Sequence, residues 1–461
     1  MQNTARTKVY MLLIIFTAAY LRFRFVLYTP FEFKIDAWSM YNYALNVAKG
    51  EYYGHSFGEH WARYAYWPPL YIFLSGFVYK FWGTAKDFIA MRMIQAAFST
   101  VSCLIAYLTA AEAIKRYSPY YREAGFIAGI IMAVNPRMVV YTNHLYVESV
   151  FMTIYLLVVY FGLKYIKYEL PLKLTHHNGY IPHKYLILYS LTLGVGNLTR
   201  PVLLLLPGVM LVFILLFSTA KRYNFRRTIE IIVLDGAITL VIMLLTFTPW
   251  IIRNYAVTGR FILIDANGPI NFYMAHNELA NGQWVDVKPY TDINRLYETG
   301  YKEGLKFIIN NPKREAQLMK IKERLFLYDG DFHITEAKAY LDRTYRLPLY
   351  GSLRRMGIVG SNFSNRYYRI PMISFTFLWE AGLILFALFT IKLLLAGALR
   401  VLFSESAWII GNVLYVNLII LIFYFAPRYR SIVEPFLCIA VGILLAGIAA
   451  PLPGIVSVSD D

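Results

Sequence analysis

The sequence predicts an all-α polytopic membrane protein with about ten transmembrane helices, outer juxtamembrane helices and a small ordered extracytoplasmic loop domain. Two features of composition predict this class. Hydrophobic residues make up 58% of the 461 residues, and charged residues make up only 16%. A third observation is the recurrence of apolar stretches near the length of roughly 20 residues that crosses a bilayer core. Collagen-like, disordered and disulfide-scaffold classes are excluded.

The apolar stretches follow one another along nearly the whole chain. They lie at residues 9–27, 88–114, 124–142, 146–167, 185–198, 201–219, 229–252, 373–398, 406–425 and 432–450. The first begins after Arg6 and Lys8, exceeds the length of a signal-peptide core and lacks a cleavage site, so we expect it to remain as an anchor. Cys103 and Cys438 both lie inside apolar runs, so no extracytoplasmic disulfide is expected.

Charge placement decides whether a further stretch, 67–84, crosses the membrane. The net charge is +17, and much of it lies in short linkers after residues 114, 163 and 219. Short basic linkers stay in the cytoplasm, and these three share that side with the amino terminus only if 67–84 does not cross. We therefore expect 67–84 to be an interfacial or re-entrant helix on the outer face. The positive charge reflects topology, and no nucleic-acid partner is expected.

This topology divides the chain into three parts. Residues 1–252 form a transmembrane module that includes a first outer loop (28–87), residues 253–372 form a large extracytoplasmic loop, and residues 373–461 hold the C-terminal transmembrane helices. Apolar residues recur at helical spacing in the large loop, and Asn311 with Pro312 predicts a break between two helices.

Two carboxylates lie at predicted membrane boundaries. Asp36 opens an amphipathic stretch that Gly50 ends, and it is either a first-turn helix acid or a general base at the membrane surface. Glu148 follows Asn143 and His144 at the start of the fourth span. It is either a snorkelling boundary residue or a functional one.

Four arginines from separate parts of the chain share the predicted outer face, against the inward bias of basic residues. They are Arg200, Arg253, Arg428 and Arg430, the last two flanking Tyr429. Guanidinium groups suit a planar, bidentate grip on phosphate, so the set predicts a phosphate site. The alternative is that each arginine anchors the protein to lipid headgroups.

A divalent metal site is an open alternative in the outer loops. His55, Glu59, His60 and His276 carry ligand types that suit zinc or another divalent ion, but their spacing matches no fixed motif. The alternative is that these four are ordinary polar loop residues that form hydrogen bonds with the backbone or with water. No Walker, Rossmann or nucleophile-elbow pattern stands in a fitting context, so a nucleotide enzyme is not supported.

Taken in order, these elements resemble the C-type (GT-C) membrane glycosyltransferases, especially the branch that holds protein O-mannosyltransferases and the lipid A aminoarabinose transferase. The resemblance rests on an ordered series rather than on one strong motif. The series is Asp36, Tyr43, Ala44 and Gly50; Tyr66 to Tyr71; Arg92; Asn135, Pro136, Leu145 and Glu148; Leu198 to Pro201; Pro249, Trp250, Arg253, Asn254, Gly268 and Asn271; and Arg428 to Arg430.

The resemblance implies an inverting transfer of a hexosyl or pentosyl group from a polyprenyl-phosphate-linked donor to an acceptor hydroxyl, on a lipid, glycan or protein. It also implies an active site on the extracytoplasmic side of a plasma membrane, which we expect to be prokaryotic. Asp36 matches the family's catalytic base, and Tyr66, His144, Glu148 and Tyr429 are further active-site candidates. The sequence departs from the family where Ala37 replaces the second acid of a frequent acidic pair.

A competing class is a polytopic transporter or flippase of lipids or sugars. Such a protein would carry ionisable residues near mid-span, with broken helices and repeat symmetry. The notable charges of this chain lie instead at predicted span ends, which favours the enzyme.

Overall fold

The computed structural model describes residues 2–28, 35–54, 60–175, 183–287, 292–328 and 405–449. Within these ranges the chain forms helices and no strands, and a single β-bridge pairs Gln283 with Phe425. The helices are α1 (Gln2–Tyr28), α2 (Ile35–Lys49), α3 (Pro69–Trp82), α4 (Ala85–Ile114), α5 (Tyr121–Val134), α6 (Pro136–Val140), α7 (Glu148–Lys164), α8 (Leu170–Thr175), α9 (Lys184–Thr199), α10 (Leu206–Ala220), α11 (Phe225–Thr258), α12 (Gly268–Ala275), α13 (Ile293–Asn310), α14 (Pro312–Tyr328), α15 (Glu405–Ile422) and α16 (Glu434–Ala449).

The predicted class, an all-α membrane protein, is confirmed. In the described ranges, five helices are long and apolar enough to cross a membrane: Ala5–Tyr28, Phe88–Ile114, Glu148–Thr175, Pro201–Ala220 and Phe225–Thr258. The predicted spans 406–425 and 432–450 correspond to shorter apolar helices, Ala407–Ile422 and Glu434–Ala446. The predicted span 373–398 lies outside the described residues, and the count of about ten spans stays a prediction.

The predicted span 124–142 is not one continuous helix in the structure. Helix α5 ends at Val134, and the short α6 begins at Pro136. Proline has no backbone N–H to donate to the preceding turn, and the Asn135 side chain accepts hydrogen bonds from the backbone N–H groups of Arg137 and Met138. The chain therefore starts a second helix in the middle of an apolar run.

Helix α3 covers most of the doubtful stretch 67–84. Its 14 residues span about 21 Å at 1.5 Å per residue, which is less than the hydrocarbon core of about 30 Å. Pro69 begins the helix, and Gly83 follows its end with a positive φ of 71° that favours glycine. Helix α3 packs mainly against α2, the helix that carries Asp36.

Helices α1, α4, α5, α7 and α16 form the centre of the bundle. Arg22 is fully buried there and binds two neighbouring helices. Its Nε donates to Ser99 Oγ at 2.7 Å on α4, and its two Nη atoms donate to the backbone oxygens of Ala133 at 2.8 Å and Met132 at 3.1 Å on α5. These contacts satisfy the buried guanidinium and link α1 to both neighbours.

Buried ion pairs join the helices at the end of the bundle that carries the basic linkers. Lys167 Nζ lies 2.8 Å from Glu112 Oε1, and Lys173 Nζ lies 2.8 Å from Asp235 Oδ1. Lys167 belongs to a π-helical turn, Tyr165–Glu169, that continues α7. Buried charges of this kind are paired because the isolated charges would be costly to desolvate.

The described part of the predicted large loop consists of α12, α13 and α14. The predicted break at Asn311 and Pro312 is confirmed, since α13 ends at Asn310 and α14 begins at Pro312. Helix α14 lies along α15, where Lys322 Nζ donates to the backbone oxygen of Leu421 at 2.9 Å. The loop is therefore docked on the helix that precedes the turn with Arg428.

Candidate active site

Asp36 and Arg428, which are 392 residues apart in sequence, form an ion pair. Asp36 lies in the first turn of α2, and Arg428 lies in a 3-10 turn, Pro427–Ile432, between α15 and α16. Arg428 Nη1 donates to Asp36 Oδ2 at 2.5 Å. The Asp36 side chain is 34% exposed and the Arg428 side chain 24%, so both can be reached from outside the bundle.

Glu148 provides a second carboxylate on the other side of Arg428. Its Oε1 lies 3.2 Å from Arg200 Nη1 and 3.9 Å from Arg428 Nε. The Glu148 side chain is only 3% exposed, and its Oε2 is buried without a hydrogen-bond partner. We call Asp36, Glu148, Arg200 and Arg428 the carboxylate–arginine cluster. Its two carboxylates and two guanidiniums cancel in formal charge.

Tyr429 lies between the two guanidiniums of the cluster. The Cζ atoms of Arg200 and Arg428 lie 4.7 Å and 5.7 Å from its ring centroid, distances typical of cation–π contacts. Burial acts to raise the pKa of the Tyr429 hydroxyl, but Arg428 and then Arg200 outweigh it, so the pKa is lowered. The ring therefore packs where positive charge is concentrated.

Tyr66 borders the cluster on the side of Asp36. Burial, with a smaller contribution from the Asp36 charge, raises the pKa of Tyr66 to about 12, so this phenol stays protonated. The Tyr66 loop is tied to the segment after α11 because the backbone N–H of Ala266 donates to the oxygen of Ala65 at 2.8 Å.

The other two predicted arginines bind backbone instead of joining the cluster. Arg253 donates from Nη2 to the oxygen of Tyr53 at 2.9 Å and from Nη1 to that of Tyr64. Arg430, 2% exposed, donates to the oxygens of Phe326 at 2.7 Å and Leu325 at 2.6 Å. The expected convergence of four guanidiniums is thus met by two of them. A span boundary predicts the face on which an arginine lies but not the direction of its side chain.

His144 is buried close to the cluster. Its ring lies 5.8 Å from the ring of Tyr146, which in turn lies 5.5 Å from Arg428 Cζ. The backbone oxygen of His144 accepts a hydrogen bond from Gln95 Nε2 at 2.6 Å. His144 therefore supports the turn that brings Tyr146 to Arg428.

A family model and several solved structures match this chain. The model of the Alg9-like mannosyltransferase family matches residues 53–267. The resemblance to GT-C membrane glycosyltransferases is confirmed. The sequence suggested the branch of protein O-mannosyltransferases and the lipid A aminoarabinose transferase, whereas the family model that matches is described as Alg9-like mannosyltransferases. No curated protein matches the chain.

Solved structures show a similar fold. The archaeal oligosaccharyltransferase AglB from Archaeoglobus fulgidus, in complex with an inhibitory peptide and a dolichol-phosphate, is similar at a TM-score of 0.55 and 12% identity. The similarity covers 96% of this chain and 50% of that one, so the chain spans half the length of that enzyme. The same enzyme in complex with Zn and sulfate is also similar at a TM-score of 0.55 and 12% identity, over 95% of this chain and 49% of that one.

Both residues of the predicted metal site that the structure describes have other partners. His276 Nδ1 lies 2.9 Å from Glu315 Oε2, and its Nε2 lies 2.7 Å from the backbone oxygen of Ile422, so both ring nitrogens are engaged. His60 stacks on Tyr297 at 5.0 Å. His55 and Glu59 lie outside the described residues. Among the residues that are described, no group of three or more His, Cys, Asp or Glu could hold a metal ion.

A third acidic residue near the site escaped the sequence analysis. Asp265 accepts a hydrogen bond from the backbone N–H of Asn267 at 3.2 Å, just before α12. Burial raises its pKa to about 7. The sequence around Asp265 and Gly268 is typical of a turn, and nothing in that pattern indicates a carboxyl group with a raised pKa.

Proposed function

We propose that the protein transfers a sugar, with inversion, from a polyprenyl-phosphate donor to an acceptor hydroxyl. The observation that carries this proposal is the carboxylate–arginine cluster, which joins one accessible carboxylate to two guanidiniums at the end of a membrane bundle. AglB in complex with a dolichol-phosphate supports a lipid-phosphate donor for this fold. The Alg9-like family match favours mannose as the first sugar to test.

Arg200 and Arg428 are the proposed phosphate ligands. Guanidiniums bind carboxylate and phosphate oxygens with the same planar fork, and both of these already face carboxylate oxygens. Their position between α9, α7 and the turn after α15 suits a lipid whose headgroup lies at the membrane surface and whose tail lies between helices.

Asp36 is the proposed general base. A lipid phosphate is a good leaving group that needs no protonation, so the acid of a glycosidase pair is not required. One carboxylate suffices to remove the proton from the acceptor hydroxyl as its oxygen attacks the anomeric carbon from the face opposite to the phosphate. The exposure of Asp36 contrasts with the burial of Glu148 and favours Asp36 for contact with an acceptor.

The proposed site faces the extracytoplasmic side, in a plasma membrane that we infer to be prokaryotic. The cluster lies at helix ends: Glu148 begins α7, and Arg200 directly follows α9. The short basic linkers follow α4 and α10 at the opposite ends of the bundle, which the positive-inside bias assigns to the cytoplasm. Charges at helix ends also suit surface chemistry better than transport through mid-span.

Replacing the proposed base tests this function. We expect Asp36→Asn to lower the transfer rate by about 10²- to 10⁴-fold, because the amide keeps the shape of the side chain but cannot accept the proton. The assay follows labelled mannose from polyprenyl-phosphate mannose into products, with native membranes as the source of acceptor.

Glu303→Gln is the matched control. Glu303 also pairs with an arginine, at 2.6 Å, and its side chain is 30% exposed, but it lies on α13 with Arg295 as its partner. This control should transfer at the wild-type rate. Near wild-type transfer by Asp36→Asn would remove Asp36 as the base, and absence of transfer by the wild type from any polyprenyl-phosphate sugar would remove the donor class.

A further inference from the structure

Arg428 is shared by two carboxylates that differ in their freedom to move. Glu148 is buried and also binds Arg200, whereas Asp36 is one-third exposed and approaches Arg428 at 2.5 Å. Because the cluster is neutral without ligand, a phosphate that enters it has to compete with a carboxylate for a guanidinium. An exposed ion pair contributes less stability than a buried one, and breaking the buried pair would leave an unpaired charge inside the protein. The pair of Asp36 with Arg428 is therefore the one that a phosphate can break.

Resting on the proposed function, we propose that proton transfer to Asp36 releases Arg428 to bind the phosphate of the lipid product. The donor phosphate is a diester that carries one negative charge. As the acceptor oxygen bonds to the anomeric carbon, the bond from that carbon to the phosphate oxygen breaks, and its electron pair stays on the phosphate. The acceptor proton goes to Asp36.

The charge balance of this step converges on Arg428. Asp36 loses its negative charge, and the phosphate becomes a monoester with a second negative charge. Both changes occur beside the same guanidinium, so its strongest partner changes from the carboxylate to the phosphate. Asp36 thus keeps Arg428 from binding the phosphate tightly before reaction, and the released Arg428 stabilises the leaving group as the reaction proceeds.

The surroundings allow this exchange without a large movement. Tyr429 and Tyr146 contact the Arg428 guanidinium at 5.7 Å and 5.5 Å from their ring centroids, and Glu148 lies 3.9 Å from its Nε. These contacts keep the guanidinium in place when Asp36 is neutral. Tyr429 also contacts Arg200, which keeps the second guanidinium beside the first.

The inference predicts a gain of affinity from an inactivating substitution. Asp36→Asn mimics the protonated base, so it should bind undecaprenyl phosphate roughly 10- to 150-fold more tightly than the wild type, the value of one charge-assisted contact. Native mass spectrometry of the purified full chain in detergent, titrated with undecaprenyl phosphate, measures this affinity. Asp36→Ala is a second neutral variant should the amide variant fold poorly.

Three controls define the cause of the gain. Asp36→Glu keeps the charge and should show no gain. Asp36→Asn combined with Arg428→Ala should show none either, because the released guanidinium is absent. Glu303→Gln, with its comparable arginine pair on α13, should bind as the wild type does.

Unchanged or weaker binding by both neutral variants would overturn the inference, as would an equal gain in the absence of Arg428. The binding measurement needs no turnover, so its failure differs from failure of the proposed function. A wild type that transfers sugar while its neutral variants gain nothing refutes the inference alone. A gain without any transfer refutes the transferase but supports the exchange at Arg428.

Discussion

A 3-10 turn has three residues per turn, so side chains two residues apart point about 120° from each other around its axis. Arg428 and Arg430 are such a pair in the turn Pro427–Ile432. The first faces Asp36 and Glu148, and the second faces the backbone at the end of α14. Arg428 and Arg430 thus have separate partners, and substitution can distinguish their contributions.

We expect Arg428→Ala and Arg430→Ala to fail in different ways. Arg428→Ala should lower the rate of transfer at saturating donor by roughly 10- to 150-fold, the loss of one charge-assisted contact to the leaving phosphate, and Arg428→Lys should restore little because lysine lacks the planar fork. Arg430→Ala leaves two buried carbonyls without their donor, so it should cost about 2–4 kcal/mol of stability and lower the melting temperature. Transfer rates at saturating donor and thermal unfolding of both variants separate the two effects, and a rate defect of equal size in Arg430→Ala, at a temperature where it stays folded, would contradict the division.

The residue scale also shows how far the site could be predicted. Asp36, Glu148, Arg200 and Arg428 were each selected from the sequence, and they lie in one cluster, although their roles stay predictions. Arg253 shares their predicted face, but its side chain binds loop backbone. Hydropathy and charge bias predict the depth of a residue in the membrane. The direction of a side chain depends on the local turn and on distant partners.

At the scale of helices, α5 and α16 approach each other through small residues. A Cβ atom added at Gly442 would lie 2.4 Å from the backbone oxygen of Ala124 and 2.9 Å from Ala128 Cβ. Close approach of backbones through glycine and alanine is typical of helix pairs in membranes, where packing replaces the hydrophobic driving force. Helix α16 directly follows the turn that carries Arg428, so this contact also positions the site.

We expect Gly442→Ala to destabilise the protein although alanine is the better helix former. Overpacking costs about 1–3 kcal/mol, and the backbone oxygen of Ala124 cannot move aside without shifting α5. Gly411→Ala on α15 is the control, because a Cβ there meets no atom within 4 Å and alanine should gain up to about 1 kcal/mol in helix propensity. Thermal unfolding in detergent compares them. Equal or higher stability of Gly442→Ala would show that α5 and α16 are not tightly packed.

Helix boundaries could be predicted where asparagine and proline interrupt a sequence that contains polar residues. Asn311 and Pro312 marked the break between α13 and α14 correctly. The same pair of residue types, Asn135 and Pro136, was missed because apolar residues surround it and hydropathy alone extends a span through it. An asparagine cap and a proline act on the backbone, so they end a helix regardless of the hydropathy of its neighbours.

At the scale of the whole molecule, the charge distribution assigns the two ends of the bundle to different sides. Lys221 follows α10 at the end where the basic linkers lie, and Glu51 follows α2, the helix whose first turn carries Asp36. Lys80 lies near the end of α3, which is too short to cross the hydrocarbon core. If α3 stays at the interface, both of its ends share the side of Glu51.

We therefore expect Glu51→Cys and Lys80→Cys to react from outside intact cells with a membrane-impermeant maleimide, and Lys221→Cys to react only after permeabilisation. All three positions are exposed, so access from the correct side is the single requirement. The unsubstituted protein is the background control, because Cys103 and Cys438 are buried and should not react. Labelling of Lys80→Cys only after permeabilisation, with Glu51→Cys labelled from outside, would show that α3 crosses the membrane. Labelling of Lys221→Cys alone in intact cells would invert the bundle and place the carboxylate–arginine cluster on the cytoplasmic side.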